Sequence, residues 1–195
     1  MTPNDIRETL ISRTISIIAN EGLDKTTTKA ITTGTGINEA YIYRCFKGKE
    51  DLLAKTFDKL DYELVDKTNE ALDRVKEQGL EGEAKYRYIF NTVWRFMLGN
   101  EEKCLAFIRY FYSPYFLKYS ADDHETRYIP LTARFKKYFK EDASVWMILN
   151  HILNVMTDFA VKVFSNQVGD NDDTAEHVFR LIYYSVSPYL NKNKI

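Results

Sequence analysis

The sequence predicts an all-α protein with a small N-terminal helix-turn-helix head and a larger helical body. Three observations lead there. Apolar residues recur at helical spacing along the chain of 195 residues. Glycine and proline fall between the periodic runs, at Gly22, Gly36, Gly79, Gly82, Gly99, Pro114 and Gly169. No segment shows the apolar–polar alternation of a half-buried strand worth naming.

The first helix has a legible start. Thr2 is placed to cap it, Pro3 suits its first turn, and Asp5 stands at capping-box spacing beside the positive helix end. Ile6, Leu10, Ile17 and Ile18 make its apolar stripe, and Gly22 ends it.

The stretch TTKAITTGTGINEAYIYRCFKGKEDLL, residues 27–53, organises the rest of the chain. It reads as a short helix, a tight turn, a second short helix, a basic turn and the start of a long helix. Thr27 caps the first, Gly36 supplies the turn's backbone freedom, and Asn38 offers a side-chain oxygen to the next helix. Ile31, Ile37, Ile42 and Phe46 fall where a small core needs them. Glu39, Ala40, Tyr41, Tyr43 and Arg44 therefore face elsewhere, on a helix short enough for a DNA major groove.

Within that stretch, GINEAYIYRCFKGKEDLL resembles the signature of the TetR family of bacterial transcriptional regulators. The matching positions are Gly36, Ile37, Asn38, Ile42, Tyr43, Phe46, Lys49, Glu50, Asp51, Leu52 and Leu53. The resemblance implies a DNA-binding domain over residues 1–52 and a ligand-binding and dimerisation domain over residues 53–195. It places Glu39, Ala40 and Tyr41 at base edges, with Lys29 a further base or phosphate contact. Thr27, Thr28, Tyr43 and Lys49 match phosphate-holding positions, Arg44 suits either role, and Asn38 belongs to the same surface. Glu39 has a second reading. Phosphate repels a carboxylate unless it accepts from a cytosine amino group, so Glu39 is otherwise a helix-terminal charge that merely tolerates DNA. The chain departs from the family at Arg13 and Thr14, where small residues are usual, at Ile18 for Phe, and at Thr32 and Thr35 for Ala. These departures bear on packing and stability.

From Asp51 a long helix runs towards Gln78, with Leu53, Phe57, Leu60, Leu64, Ala71, Leu72 and Val75 as its buried stripe. Further helices are expected over 83–98, 101–112, 122–139, 143–166 and 172–189, with Pro130 kinking or splitting the third of these. The helix after Ala143 is apolar on more than one side and needs cover all round. Together with Val178, Phe179, Ile182, Val186 and Tyr189 it suggests the four-helix contact of a homodimer, as the resemblance implies. Two heads then reach successive major grooves about 34–36 Å apart.

A small-molecule effector between the middle helices is also implied by the resemblance. Its candidate contacts are Phe90, Trp94, Tyr110, Phe111, Tyr115 and Trp146, with Asn150, His151 and Asn154 as polar groups. Aromatics at helical spacing have a plainer reading as core.

Composition narrows the function. A formal net charge of −1 provides no global basic field, so DNA affinity must come from a local arrangement present in two copies. Two cysteines far apart, Cys45 and Cys104, suit a reducing cytoplasm, and MTPNDIRETL lacks the basic start and apolar core of a signal peptide. The richest apolar run, VWMILNHILNVM, is interrupted by Asn150, His151 and Asn154, so no membrane span is expected. His124, His151 and His177 are isolated, and Asp122–Glu125 reads as a solvated helix start rather than a metal site. Cys45 reads as an inert small residue rather than a redox switch. With no nucleophile elbow, phosphate loop or paired catalytic carboxylates, neither enzymatic activity nor a cofactor is expected. The reading is a cytoplasmic homodimeric repressor, released from a pseudo-palindromic operator by a small effector. The alternatives are a small-molecule-binding or enzymatic body whose head no longer reads DNA, and an activator or co-repressor-dependent regulator, which sequence does not separate from an inducible repressor.

Overall fold

The computed structural model describes residues 2–191. Among them the chain forms α1 (Pro3–Glu21), α2 (Thr28–Thr32), α3 (Ala40–Cys45), α4 (Lys49–Glu77) and α5 (Gly82–Leu98). Next come α6 (Glu101–Phe111), α7 (Pro114–Tyr119), α8 (Ala121–Lys136), α9 (Val145–Phe164) and α10 (Asp172–Val186). The described residues contain no strand; one isolated antiparallel bridge joins Phe139 to Leu190.

The expected caps form. The Thr2 hydroxyl accepts from the Asp5 amide at 3.2 Å, while the Asp5 carboxylate accepts from the Thr2 amide at 2.8 Å, a complete capping box. Gly22 closes α1 at φ 92°, a left-handed backbone value open to glycine. α7 was not anticipated: Ser113-Pro114 reads as a break in sequence, but proline is also favoured in the first turn of a helix.

The chain divides into two compact units. The first unit holds residues up to Glu63 together with Asn100–Thr126. α6 packs on α1, where Arg109 donates to the Ile18 carbonyl at 2.8 Å and Asn20 donates to the Glu102 carboxylate at 2.8 Å. The centre of this unit is aromatic. Phe57 stacks on Phe107 and Tyr110, with centroids 5.2 and 4.9 Å away, and meets the edge of Phe116.

His124 belongs to that centre, which corrects its reading as part of a solvated helix start. It is 3% exposed, packs near Phe111 and Phe116, and sets Nδ1 2.8 Å from the buried Asp61 carboxylate. The acidic run beside it hid the pattern. Ser120, His124, Tyr128 and Leu131 recur at helical spacing and all are buried.

Among the described residues the second unit holds Leu64–Gly99 and 127–191. α5, α9 and α10 pack on one another in it. α8 is one helix across Pro130, so of the expected kink or split the split does not occur. The missing amide costs the carbonyl of Thr126 its partner, but Tyr128, Leu131 and Phe135 are buried around it and keep the helix continuous. In α10, Val178, Phe179, Ile182 and Val186 are buried inside this unit, so they form protomer core rather than an outward dimer face. The exposed large apolar side chains of α9 and α10 are Met147 at 70%, Leu181 at 55% and Tyr184 at 65%, together with Trp146 and Val161. α9 also corrects the hydropathy reading. By length and composition alone it passes for a bilayer span. Its packing is that of an amphipathic helix: Ile148, Met156, Ala160 and Val163 are buried, and His151, Asn154 and Asp158 are exposed.

Candidate nucleic-acid interface

The head is assembled by local hydrogen bonds that the sequence dictates. Thr27 caps α2, its hydroxyl accepting from the Ala30 amide at 3.1 Å. Thr32, unusual for the family, is buried and donates to the Thr28 carbonyl at 3.0 Å, so its hydroxyl carries no unmet bond. Thr35 donates to the Thr32 carbonyl at 2.7 Å and accepts from the Ile37 amide at 3.1 Å, bracing the turn. Gly36 lies at φ 71°, as a tight helix–helix turn requires. Asn38 accepts from the Ala40 amide at 2.9 Å, while Glu39 occupies the capping position without a capping bond from its carboxylate.

These contacts fix the faces of α3. Ile31, Ile37, Ile42 and Phe46 are buried together with residues of α1, whereas Tyr43 is 65% exposed. Thr27, Lys29, Asn38, Glu39, Ala40 and Arg44 are also exposed, and Thr28, Tyr41 and Lys49 are half-buried. All ten lie in the first unit, on α2, the turn, α3 and the start of α4. The Arg44 guanidinium lies 4.9 Å from the Tyr41 ring, and the Lys49 ammonium 5.9 Å from the Tyr115 ring.

Two supports of this surface were missed in the sequence. Arg7 of α1 donates to the Cys45 carbonyl at 2.8 Å with its guanidinium 4.3 Å from the Phe46 ring, fastening the end of α3. Asp51 accepts from the Lys47 amide at 2.8 Å and closes the basic turn before α4. No local pattern marks Arg7, because its partners lie far along the chain. Asp51 was visible as a signature position without a role.

The candidate effector residues do not converge. Tyr110, Phe111 and Tyr115 lie in the first unit; the buried Tyr110 hydroxyl is 3.0 Å from Ser120 Oγ, and burial pushes its pKa up to about 12. Phe111 packs on Phe116 with centroids 4.5 Å apart, and Tyr115 stacks on Tyr119. In the second unit Trp94 is buried against Phe90, Trp146 meets the edge of Tyr128, and the Asn150 amide donates to the Trp146 carbonyl at 2.9 Å. His151 is exposed with Nε2 2.9 Å from Ser185 Oγ, and Asn154 is exposed.

The second unit nevertheless contains an apolar cavity of about 130 Å³, and of those nine residues Phe90 lines it. Its other walls are Leu64 and Thr68 of α4, Tyr86, Ile89 and Val93 of α5, Tyr128, Leu131 and Phe135 of α8, and Phe139. Leu149, Ile152, Leu153 and Met156 of α9, Phe179, Ile182, Tyr183 and Val186 of α10, and Leu190 complete it. No charged side chain is among them. α9 therefore presents its aliphatic residues to the cavity and its polar ones elsewhere, the reverse of the expected polar contacts.

Comparison with known proteins agrees with this head. The family described as bacterial regulatory proteins, tetR family, matches residues 10–56. No curated protein matches the chain. Among solved structures, a TetR family transcription regulator from Marinobacter aquaeolei VT8 superposes with a TM-score of 0.78 at 17% identity, covering 98% of this chain and 100% of that one. The fatty acid degradation regulator FadR from Bacillus halodurans gives 0.69 at 18% identity, covering 90% and 96%. FadR from Bacillus subtilis, in complex with stearoyl-CoA, gives 0.70 at 17%, covering 90% and 96%. At these identities the structures establish a shared fold, and the signature is read from the head itself. Residues 10–56 match the tetR family of bacterial regulatory proteins, and the chain as a whole shares the fold of solved TetR family transcription regulators.

Proposed function

We propose that the protein is a homodimeric repressor that reads a pseudo-palindromic operator and leaves it when a small molecule enters the body cavity. One observation carries the reading: Ile42 anchors α3 in the head core while Glu39, Ala40, Tyr43 and Arg44 project outward beside the capped start of α2. Outward polar and aromatic side chains on a short, fixed helix are what base-edge and phosphate contacts require. Thr27, Thr28, Tyr43 and Lys49 then hold phosphates, and Glu39, Ala40 and Tyr41 meet the bases, with Lys29, Asn38 and Arg44 on the same surface.

The exposed Met147, Leu181 and Tyr184 support dimerisation through α9 and α10. The apolar cavity, and the stearoyl-CoA held by a protein of similar fold, support an effector with an apolar part. α4 supplies Leu64 and Thr68 to the cavity and Lys49 to the head, so a ligand that repositions α4 acts on both. Such a ligand must favour the state that cannot bind DNA, since equal affinity for both states shifts nothing. Nothing in this reading calls for catalysis or a membrane, and it places the protein in the cytoplasm with DNA.

Selection of bound duplexes from random DNA by the purified protein tests this. The expected result is an enriched inverted repeat whose binding is weakened in Tyr43→Phe and Lys49→Ala. Absence of enrichment at low salt, with the cavity loaded or empty, refutes it.

A further inference from the structure

We propose that α7 extends the DNA-contacting surface beyond the helix-turn-helix, with Lys118 binding a backbone phosphate in the duplex that flanks each half-site. This rests on the operator reading above and adds a contact outside the residues which that reading uses. α7 is six residues long, and one of them orients it. Phe116 is buried, meeting the edge of Phe57 with centroids 5.3 Å apart and packing near Phe111 at 4.5 Å. With that side chain fixed inward, helical geometry turns its neighbours outward. Leu117 is 77% exposed, and Lys118 and Tyr119 are exposed as well.

These side chains continue the surface of the head. The Lys49 ammonium lies 5.9 Å from the Tyr115 ring, and Tyr115 stacks on Tyr119 at 6.3 Å. The Lys118 ammonium in turn lies 4.9 Å from the Tyr119 ring. Two ammonium groups therefore bracket a pair of stacked phenols, all within the first unit. Cations and tyrosine hydroxyls are the groups with which proteins hold a DNA backbone. Lys49 matches a phosphate-holding position, so a cation beyond it meets the next stretch of backbone, not the bases that α3 faces. Asp51 and Asp58 of α4 are already partnered, by the Lys47 amide and the Lys55 ammonium, each at 2.8 Å. Neither Lys49 nor Lys118 forms an ion pair with a carboxylate among the described residues. A hydrogen bond with Tyr119, and to a smaller degree the charge of Glu50, raises the Lys118 pKa, so the group stays a cation. Glu50 is also the opposing charge, since it repels phosphate. Counter-ion release at Lys118 is the quantity that shows which of the two prevails.

The experiment measures fluorescence anisotropy of the full-length protein on its selected operator in two lengths. One duplex is trimmed to the outermost specified base pairs; the other is extended by about half a helical turn of unspecified sequence at each end. The extended duplex should have a salt slope steeper by about 2, from one added phosphate per head at about 0.9 counter-ion each, whatever the flanking sequence. Between about 50 and 200 mM salt it then loses roughly tenfold more affinity than the trimmed duplex. Lys118→Ala should remove that difference and leave the slope on the trimmed duplex unchanged, whereas Lys118→Arg should keep it. Lys118 is exposed, so both variants should melt with wild type. A wild-type slope for Lys118→Ala on the extended duplex overturns the proposal. So does an equal fall on both lengths, which places Lys118 inside the half-site. A change in sedimentation in place of a change in slope also overturns it, by giving the patch to a contact between copies of the chain. An operator whose flanks add nothing refutes the α7 contact and leaves the repressor reading standing, while the absence of any selected operator refutes both.

Discussion

Lys49→Ala should flatten the salt dependence of operator binding by an amount the head allows one to work out. Three cations stand among the candidate contact residues: Lys29 and Arg44, both exposed, and Lys49, half-buried near Tyr115. Two heads double that number. At about 0.9 counter-ion released per neutralised phosphate, a fully engaged dimer has a slope of log K against log salt of about −5. Raising salt from about 50 to 200 mM then costs roughly a thousandfold in affinity. Removing Lys49 from both heads takes the slope to about −4, uniformly across operator sequences. The variant should fold at least as well, because a lysine in the first turn of α4 opposes the helix dipole and alanine does not. Fluorescence anisotropy on the selected operator, at several salt concentrations, measures both slopes. A folded Lys49→Ala protein with the wild-type slope would falsify the phosphate contact, and a wild-type slope near zero would remove the electrostatic basis of DNA binding.

Phe57→Ala should cost about 4 kcal/mol in urea denaturation, since it empties the aromatic centre of the first unit, whereas Phe57→Leu should cost about 1.5 kcal/mol; equal costs would mean that the site collapses freely. Burial pushes the Cys104 thiol up to about 12, so roughly one in ten thousand is ionised at pH 8. Iodoacetamide should therefore label Cys45 in the native protein and Cys104 only after denaturant, as read by mass spectrometry. This thiol leaves stability untouched below its ordinary value and weakens folding as pH rises above that value, because the unfolded chain then loses the proton first. Leu181→Glu combined with Tyr184→Glu should shift the protein to monomer in sedimentation and weaken operator binding; an unshifted dimer would move the interface away from α10.

What was legible in the sequence was what is local. The Thr2–Asp5 capping box, the Gly36 turn and the buried set Ile31, Ile37, Ile42 and Phe46 each depend on residues a few positions apart, and each formed. The cavity depends on which sides of α4, α5, α8, α9 and α10 converge, which periodicity does not encode. Tyr86 and Tyr110 look alike in sequence, yet one lines the cavity and the other bonds Ser120 inside the first unit. Asn150 and Asn154 drew attention as polar interruptions of an apolar helix, but those interruptions mark its outer side. His124 was obscured for the opposite reason, an apolar stripe masked by neighbouring charge.

The threonines that replace the family's small residues have a consequence for divergence. Thr14 is fully buried, and its hydroxyl bonds the Leu10 carbonyl at 2.8 Å; Thr32 bonds Thr28 in the same way. Each side chain brings its own polar partner with it, so no neighbour has had to change to receive it. Such positions can pass between alanine, threonine and serine one substitution at a time, without a compensating mutation elsewhere. They are places where descendants of one head can drift far in spelling while the geometry of its helices stays where it was.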